Sequence, residues 1–200
     1  MTNVASLLGH GIFLLAIILF IIQAKRWGKY FPFAYIIAAV LVVVPVSEWL
    51  VVEYSRGYFG DLSIATLLIC GLSIIGQGKY PMQTSFKLFT LILAALLLPT
   101  AMGMGMFDSY SVGFPSHMLY PSLVAVLLVI GSLAWWFNAW QVFILIALSL
   151  FANALGLYET QNIWNYLLDP IVIVACISSF VYSGLQQVYF NYIKREQYAK

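Results

Sequence analysis

Long apolar runs with almost no charge make up most of this chain. A helix needs about 20 apolar residues to cross the hydrocarbon of a bilayer. Seven runs approach or reach that length. We predict spans at 4–24, 33–52, 62–76, 88–104, 119–137, 139–157 and 171–189.

The low charge decides the class of protein. Only 8% of the residues are charged, whereas a soluble domain carries about 25%. This number of charges is too small to cover a water-facing surface, and apolar side chains must therefore also face lipid. The runs are continuous rather than alternating, which favours helices over a β-barrel. We therefore predict an all-α integral membrane protein forming one polytopic domain over residues 1–200.

The charges that remain are sorted between the connections. Of nine basic residues, eight fall in connections on one side of the predicted bundle, and Arg56 is the exception. Of seven acidic residues, six fall on the other side, and Glu196 is the exception. The positive-inside rule then places the N-terminus outside and the C-terminus in the cytoplasm. Tryptophans near the ends of the runs are typical of membrane interfaces, and we expect a bacterial inner membrane.

Two connections on the acidic side have a similar composition. The first bridge, residues 53–61, and the second bridge, residues 159–169, are both rich in aromatic residues, and each begins with Glu and ends with Asp. This pattern suggests two parallel three-helix halves, 1–76 and 119–190, joined by a linker helix. The layout is similar to that of small SWEET-type sugar transporters, whose parallel repeats it would share. The chain lacks their paired Pro-Gln signature.

The acids divide into two groups by their position. Asp61 and Asp169 stand before predicted helices, Asp169 directly before Pro170. Asp is a favoured N-cap, Pro is favoured at the first helical position, and a carboxylate complements the helix dipole there. We interpret both as caps that could also bind a ligand. Asp108 is expected to cap or solvate its loop.

Glu48, Glu53 and Glu159 lie near the predicted C-terminal ends of outward-running helices, where the dipole disfavours a negative charge. Arg56 is the one predicted outer cation, and Glu53 is its nearest partner in sequence. Glu48 follows Pro45, where a helix kink could open a polar pocket. We therefore predict one outward-open binding site, whose residues are Glu48, Glu53, Arg56, Asp61, Glu159 and Asp169.

Three functions remain open on this sequence. We favour a non-catalytic membrane subunit or accessory protein of an envelope complex, with a protein partner or a second copy in the bilayer. The alternatives are a small transporter or channel and an intramembrane enzyme acting on a lipid-linked substrate. We predict no catalytic set, metal site or cofactor, because His10 and His117 lack metal-ligand spacing. Nucleic-acid and nucleotide motifs are absent.

Overall fold

The computed structural model describes residues 4–22, 28, 30–46, 49–76, 81–104 and 107–198, with the backbone alone at 31 and 190–198. The predicted all-α class is confirmed. Within these ranges there are nine α-helices, one 3-10 helix (Ser111–Gly113) and one hairpin of two-residue strands, β1 (Pro45–Val46) with β2 (Trp49–Leu50). The helices are α1 (Val4–Ile21), α2 (Phe31–Val42), α3 (Val51–Phe59), α4 (Ile64–Gly76), α5 (Thr84–Ala101), α6 (Tyr120–Trp136), α7 (Trp140–Ala154), α8 (Ile163–Leu167) and α9 (Pro170–Tyr198).

Three of the helices in the described chain are long and apolar enough to cross a membrane. They are α1, α5 and the Pro170–Tyr189 part of α9. Four shorter apolar helices, α2, α4, α6 and α7, overlap the remaining predicted spans but fall below that length. Their exposed faces carry large apolar side chains such as Ile36, Val129 and Phe151. These faces are compatible with a location in a membrane.

Contacts near the helix ends define the direction in which each apolar helix runs. Ser6 at the start of α1 bonds to Asp61, and Asp169 before α9 bonds to the start of α4. The hydroxyl of Tyr35, near the start of α2, bonds instead to Ile74 near the end of α4. Helices α1, α4 and α9 therefore begin at one end of the bundle, called here the site end. Helix α2 begins at the opposite end. Helices α5 and α7 also begin there, because Tyr158 just after α7 bonds to Leu62 before α4, and Gln83 and Gln141 at the starts of α5 and α7 bond to each other.

The second predicted span is wrong in its C-terminal part, because its helix stops ten residues early. The helix α2 ends at Val42, and the apolar chain continues as the hairpin before α3 begins at Val51. The residue before a proline is driven out of the helical region, so Val44 cannot continue α2 into Pro45. β-Branched valines at 42–44 also suit an extended chain. The proline therefore ends the helix rather than kinking it.

The two predicted halves pack differently. In the first, α1 packs against both α2 and α4, where the small side chains of Ala34 and Ala38 are fully buried. In the second, α6 packs against α7, whereas α9 packs mainly against α5. The main core forms where α7 meets α8, around Leu145, Ile146 and Tyr166.

At the end opposite the site, two glutamines join α5 to α7. The backbone N–H of Gln83 donates to the Gln141 side chain at 2.7 Å, and the backbone N–H of Gln141 donates to the Gln83 side chain at 3.2 Å. The Gln141 amide also donates to the carbonyl of Pro81 at 3.0 Å. Each glutamine side chain therefore accepts a hydrogen bond from a backbone N–H at the start of the partner glutamine's helix. The first four N–H groups of a helix lack partners within the helix itself.

Candidate functional site

An open cleft of about 840 Å³ lies at the site end. Its walls come from three parts of the chain that are remote in sequence: the start of α1, the hairpin with the first bridge, and the start of the second bridge. Four of the six predicted binding residues are among its lining residues. The lining comprises Leu7, Trp49, Glu53, Tyr54, Arg56, Gly57, Tyr58, Gly60, Asp61, Glu159 and Thr160.

Arg56 joins the two bridges within this cleft. Its Nη2 lies 2.6 Å from Oε1 of Glu159, 103 positions away, and its Nε lies 3.9 Å from Oδ1 of Asp61. A planar guanidinium can serve two carboxylates at once because its N–H groups point in fixed directions. The arginine therefore pairs with Asp61 and with the second bridge rather than with Glu53, its nearest acidic neighbour in sequence.

Glu53 takes a different role, and its predicted position at the end of a helix is wrong. It lies in the first turn of α3, where its Oε2 accepts the backbone N–H of Leu50 at 2.7 Å. A carboxylate is stabilised at this end of a helix dipole. The unfavourable position predicted from the sequence disappears because α2 stops at Val42 and a new helix starts at Val51.

Asp61 does not cap the helix that follows it. Its Oδ1 accepts the hydroxyl of Ser6 at 2.6 Å and faces Arg56, while Ser63 caps α4 by accepting the N–H of Thr66 at 3.2 Å. Gly60 makes this possible, because its φ of +71° reverses the chain after α3, a conformation that glycine adopts at little cost. The interpretation of Asp61 as a cap is therefore wrong, and it instead connects α1 to the cleft.

Asp169 is a cap, and it serves two helices. It accepts the N–H of Val172 in the first turn of α9, and also the N–H of Ser63 and the hydroxyl of Thr66 at the start of α4, all at 2.8 Å. The cap predicted for α9 is confirmed, and the bonds to α4 could not be read from the sequence. Asp169 does not line the main cleft.

The other predicted polar residues act locally or lie outside the described chain. Asp108 caps its own turn by accepting the N–H groups of Tyr110 and Ser111, as predicted. His117 accepts the N–H of Leu119 before α6. Glu48 lies outside the residues that the structure describes. Among those it does describe, no group of three or more His, Cys, Asp or Glu side chains could hold a metal ion.

Sequence reasoning missed a buried histidine clamp beneath the cleft. His10 on α1 is fully buried, with Nδ1 lying 3.0 Å from Oγ of Ser55 and Nε2 lying 2.6 Å from the carbonyl of Gly60. A serine beside a histidine resembles a nucleophile with its base. Ser55 is only 8% exposed and does not line the cleft. The pair therefore fixes α1 to α3.

Tyr158 fixes the second bridge against the first. Its hydroxyl donates to the carbonyl of Leu62 at 2.6 Å, and its ring stacks on Tyr166 at 4.6 Å between centroids. Burial raises the pKa of the Tyr158 phenol, so the hydroxyl keeps the proton that it donates. The side walls of the cleft are therefore fixed by neutral hydrogen bonds as well as by the Arg56 ion pairs.

The cleft offers negative charge beside aromatic surface. Its three carboxylates and one guanidinium give a formal charge of −2. The Glu159 side chain is 63% exposed, so one carboxylate is open to a ligand although it pairs with Arg56. The side chains of Trp49 and Tyr54 are about half exposed, and that of Tyr58 is mostly exposed. Carboxylates and ring faces both attract cations.

The ion pair itself should contribute little stability. We expect Glu159→Gln to lower the free energy of unfolding by less than about 1 kcal/mol, because exposed pairs are screened by water. Arg56→Ala should cost more, since it also removes the partner of Asp61, which is more deeply placed. The free energy of unfolding in mixed micelles is measured for Arg56→Ala, Glu159→Gln and the double variant, which gives both costs and the coupling energy between the two side chains. A coupling energy well above about 1 kcal/mol would contradict this view of the pair.

No protein-family model, curated protein or solved structure matches this chain.

Proposed function

We propose that this chain is a multi-pass membrane protein acting as a non-catalytic binding subunit, whose outer cleft receives a cationic group. The observation that carries the proposal is that Glu53 lines the same open, aromatic-walled cleft as Arg56 and its two partners, Asp61 and Glu159. A net negative cleft selects cations over anions. We further propose seven crossings within one domain, 1–200, with the cleft facing outside.

The lining of the cleft favours binding over chemistry. Asp61 bonds to Ser6 and faces Arg56, Glu53 holds the start of α3, and Glu159 pairs with Arg56. An acid or base for catalysis needs a proton-transfer partner within reach of a substrate. The three carboxylates are instead engaged by donors within the protein, which suits a rigid, preorganised binding surface.

The same geometry favours a subunit over a transporter. A transporter of the two-repeat kind places its site near the bilayer midplane, between matching halves. Here the cleft lies at one end of the helices, and the packing of α9 on α5 has no counterpart in the first half. Superposing residues 1–76 on 119–190 tests the two-halves prediction, which unrelated helix arrangements would contradict.

Binding is tested with the purified full chain in nanodiscs. We expect an amidated tri-lysine peptide to bind, and a tri-glutamate peptide to show no binding. The double variant Glu53→Gln/Glu159→Gln should weaken tri-lysine binding at least about tenfold, because a cation–carboxylate contact contributes about 1.4 kcal/mol or more when partly desolvated. Asp108→Asn is the matched control, since Asp108 is an acid at the same end outside the cleft. Equal binding of the two peptides, or no effect of the double variant, would refute the proposed function.

The proposed topology gives a separate prediction. In a Cys70→Ala/Cys176→Ala background, a cysteine at Ser109 should react with a membrane-impermeant thiol reagent added to intact cells. A cysteine at Gly78 should react only after the cells are opened. The physical reason is the asymmetry of basic residues between the connections. The reverse labelling pattern would show that the orientation is inverted.

A further inference from the structure

A second cavity adjoins the cleft between the end of α3 and the start of α9. It has a volume of about 430 Å³ and runs from the end of α3 along the first turns of α9. Tyr58 and Asp61 line both cavities, so the cleft and this groove are neighbours that share a wall. The groove is lined by Tyr58, Phe59, Asp61, Leu62, Asp169, Pro170, Ile171 and Val174.

The groove carries fewer charged side chains than the cleft, which has three carboxylates and one guanidinium. Most of its lining is aromatic or aliphatic, and Phe59 and Val174 are 47% and 62% exposed. Asp169 also borders it, but this carboxylate already accepts three hydrogen bonds within the protein. The groove therefore presents an apolar surface that suits an alkyl chain.

Tyr58 lies at the boundary between the charged cleft and the apolar groove. Its side chain is 83% exposed, and its ring packs edge-on against Phe59 with centroids 4.8 Å apart. A ring in this position can face a cation on the cleft side and extend apolar surface on the groove side, as aromatic residues do at membrane interfaces. A ligand with a charged head and an apolar tail would contact both surfaces of the site.

We propose that the cleft and groove together bind a membrane amphiphile with a cationic amino head group. The amine lies among Glu53, Glu159 and the ring of Tyr58, and the alkyl chain follows α9 past Val174. This proposal rests on the proposed function, because it uses the same cleft. The negative charge of the cleft disfavours amphiphiles with anionic heads. The groove packs against the alkyl chain along its length in place of neighbouring lipid tails.

The test uses the full chain in nanodiscs and a photoactivatable probe. The probe is a sixteen-carbon primary amine with a diazirine in its chain, and the control probe is the carboxylic acid with the same chain and diazirine. We expect the amine to label residues 169–174 at least fivefold more strongly than the acid does. Unlabelled long-chain amine should compete with the labelling, whereas butylamine at the same concentration should compete at least tenfold less well.

Two pairs of variants separate the head and tail sites. Val174→Trp should reduce labelling at least fivefold by filling the groove. Leu185→Trp is its matched control, because Leu185 is an equally exposed apolar residue on the same helix, 65% exposed. Glu53→Gln/Glu159→Gln should also reduce labelling, whereas Asp108→Asn should not. The thermal unfolding of each variant shows that the fold is retained.

The outcomes separate this inference from the proposed function. Suppose that tri-lysine binds through the carboxylates but the amine probe labels no groove residue, or labels Val174→Trp as strongly as the parent. The cleft then binds cations, and the amphiphile proposal is overturned. Equal labelling by the acid probe also overturns it. If neither tri-lysine nor the amine probe depends on Glu53 and Glu159, both proposals fail. Labelling that requires both the carboxylates and an open groove supports the amphiphile.

Discussion

Replacing Gly113 by alanine should destabilise the fold by about 2–4 kcal/mol, the sum of an overpacked site and a lost cap. A Cβ at Gly113 would overlap Oδ1 of Asn162 and lie 2.5 Å from Cδ1 of Trp164. Asn162 is fully buried, and its Oδ1 caps α8 by accepting the N–H of Trp164 at 3.0 Å. Its amide also donates to the carbonyl of Tyr110 at 2.9 Å. It therefore cannot move away without losing these bonds.

The measurement is the free energy of unfolding in mixed micelles, together with the yield of monodisperse protein. Gly184→Ala is the control, because nothing lies within 4 Å of a Cβ at that helical position. Alanine there should be neutral or stabilising by about 0.5–1 kcal/mol, since it restricts the unfolded chain. If both variants unfold alike, the loop before α6 does not contact α8 as described.

Asp169→Ala should cost about 2–4 kcal/mol, because it removes a helix cap and leaves a backbone N–H unpaired. The carboxylate is shared between the starts of α9 and α4, so its loss loosens two helices at once. Asp169→Asn should cost less, because the amide oxygen can still accept one or two of the same bonds.

The control for this prediction is Asp108→Ala. Asp108 also accepts two backbone N–H groups, but within an exposed turn of its own loop, so we expect a cost below about 1 kcal/mol. Equal costs for the two alanine variants would mean that Asp169 acts only as a local cap. Thermal unfolding of the three variants, Asp169→Ala, Asp169→Asn and Asp108→Ala, provides the comparison.

The sequence predicted the helices well where the apolar pattern was long and uniform. The turn at Asn138 between α6 and α7 agrees with its positive φ of 57° and with the helix bounds. The end of α2 was missed, although Val44 before Pro45 carried the signal, because apolar residues resume after Ser47 and Glu48 and reach Val52. Hydropathy alone does not distinguish an apolar helix from an apolar hairpin.

The candidate site was less predictable because its contacts cross long stretches of chain. Nearness in sequence suggested Glu53 as the partner of Arg56, but the packing of the two bridges brings in Glu159 instead. Likewise, the clamp between His10 and Ser55 joins residues 45 positions apart. Such pairs depend on how helices pack, which a single sequence does not specify. Asp169 could be assigned as a cap because the signal for capping lies within three residues.

The glutamine pair at the other end of the bundle makes that end insensitive to salt. The bonds between Gln83 and Gln141 involve amides alone, which neither gain nor lose protons and are little affected by salt. At the site end, carboxylates hold the starts of α3, α4 and α9. High salt should therefore weaken the Arg56 ion pairs at the site end and leave the amide bonds between Gln83 and Gln141 at the other end unchanged.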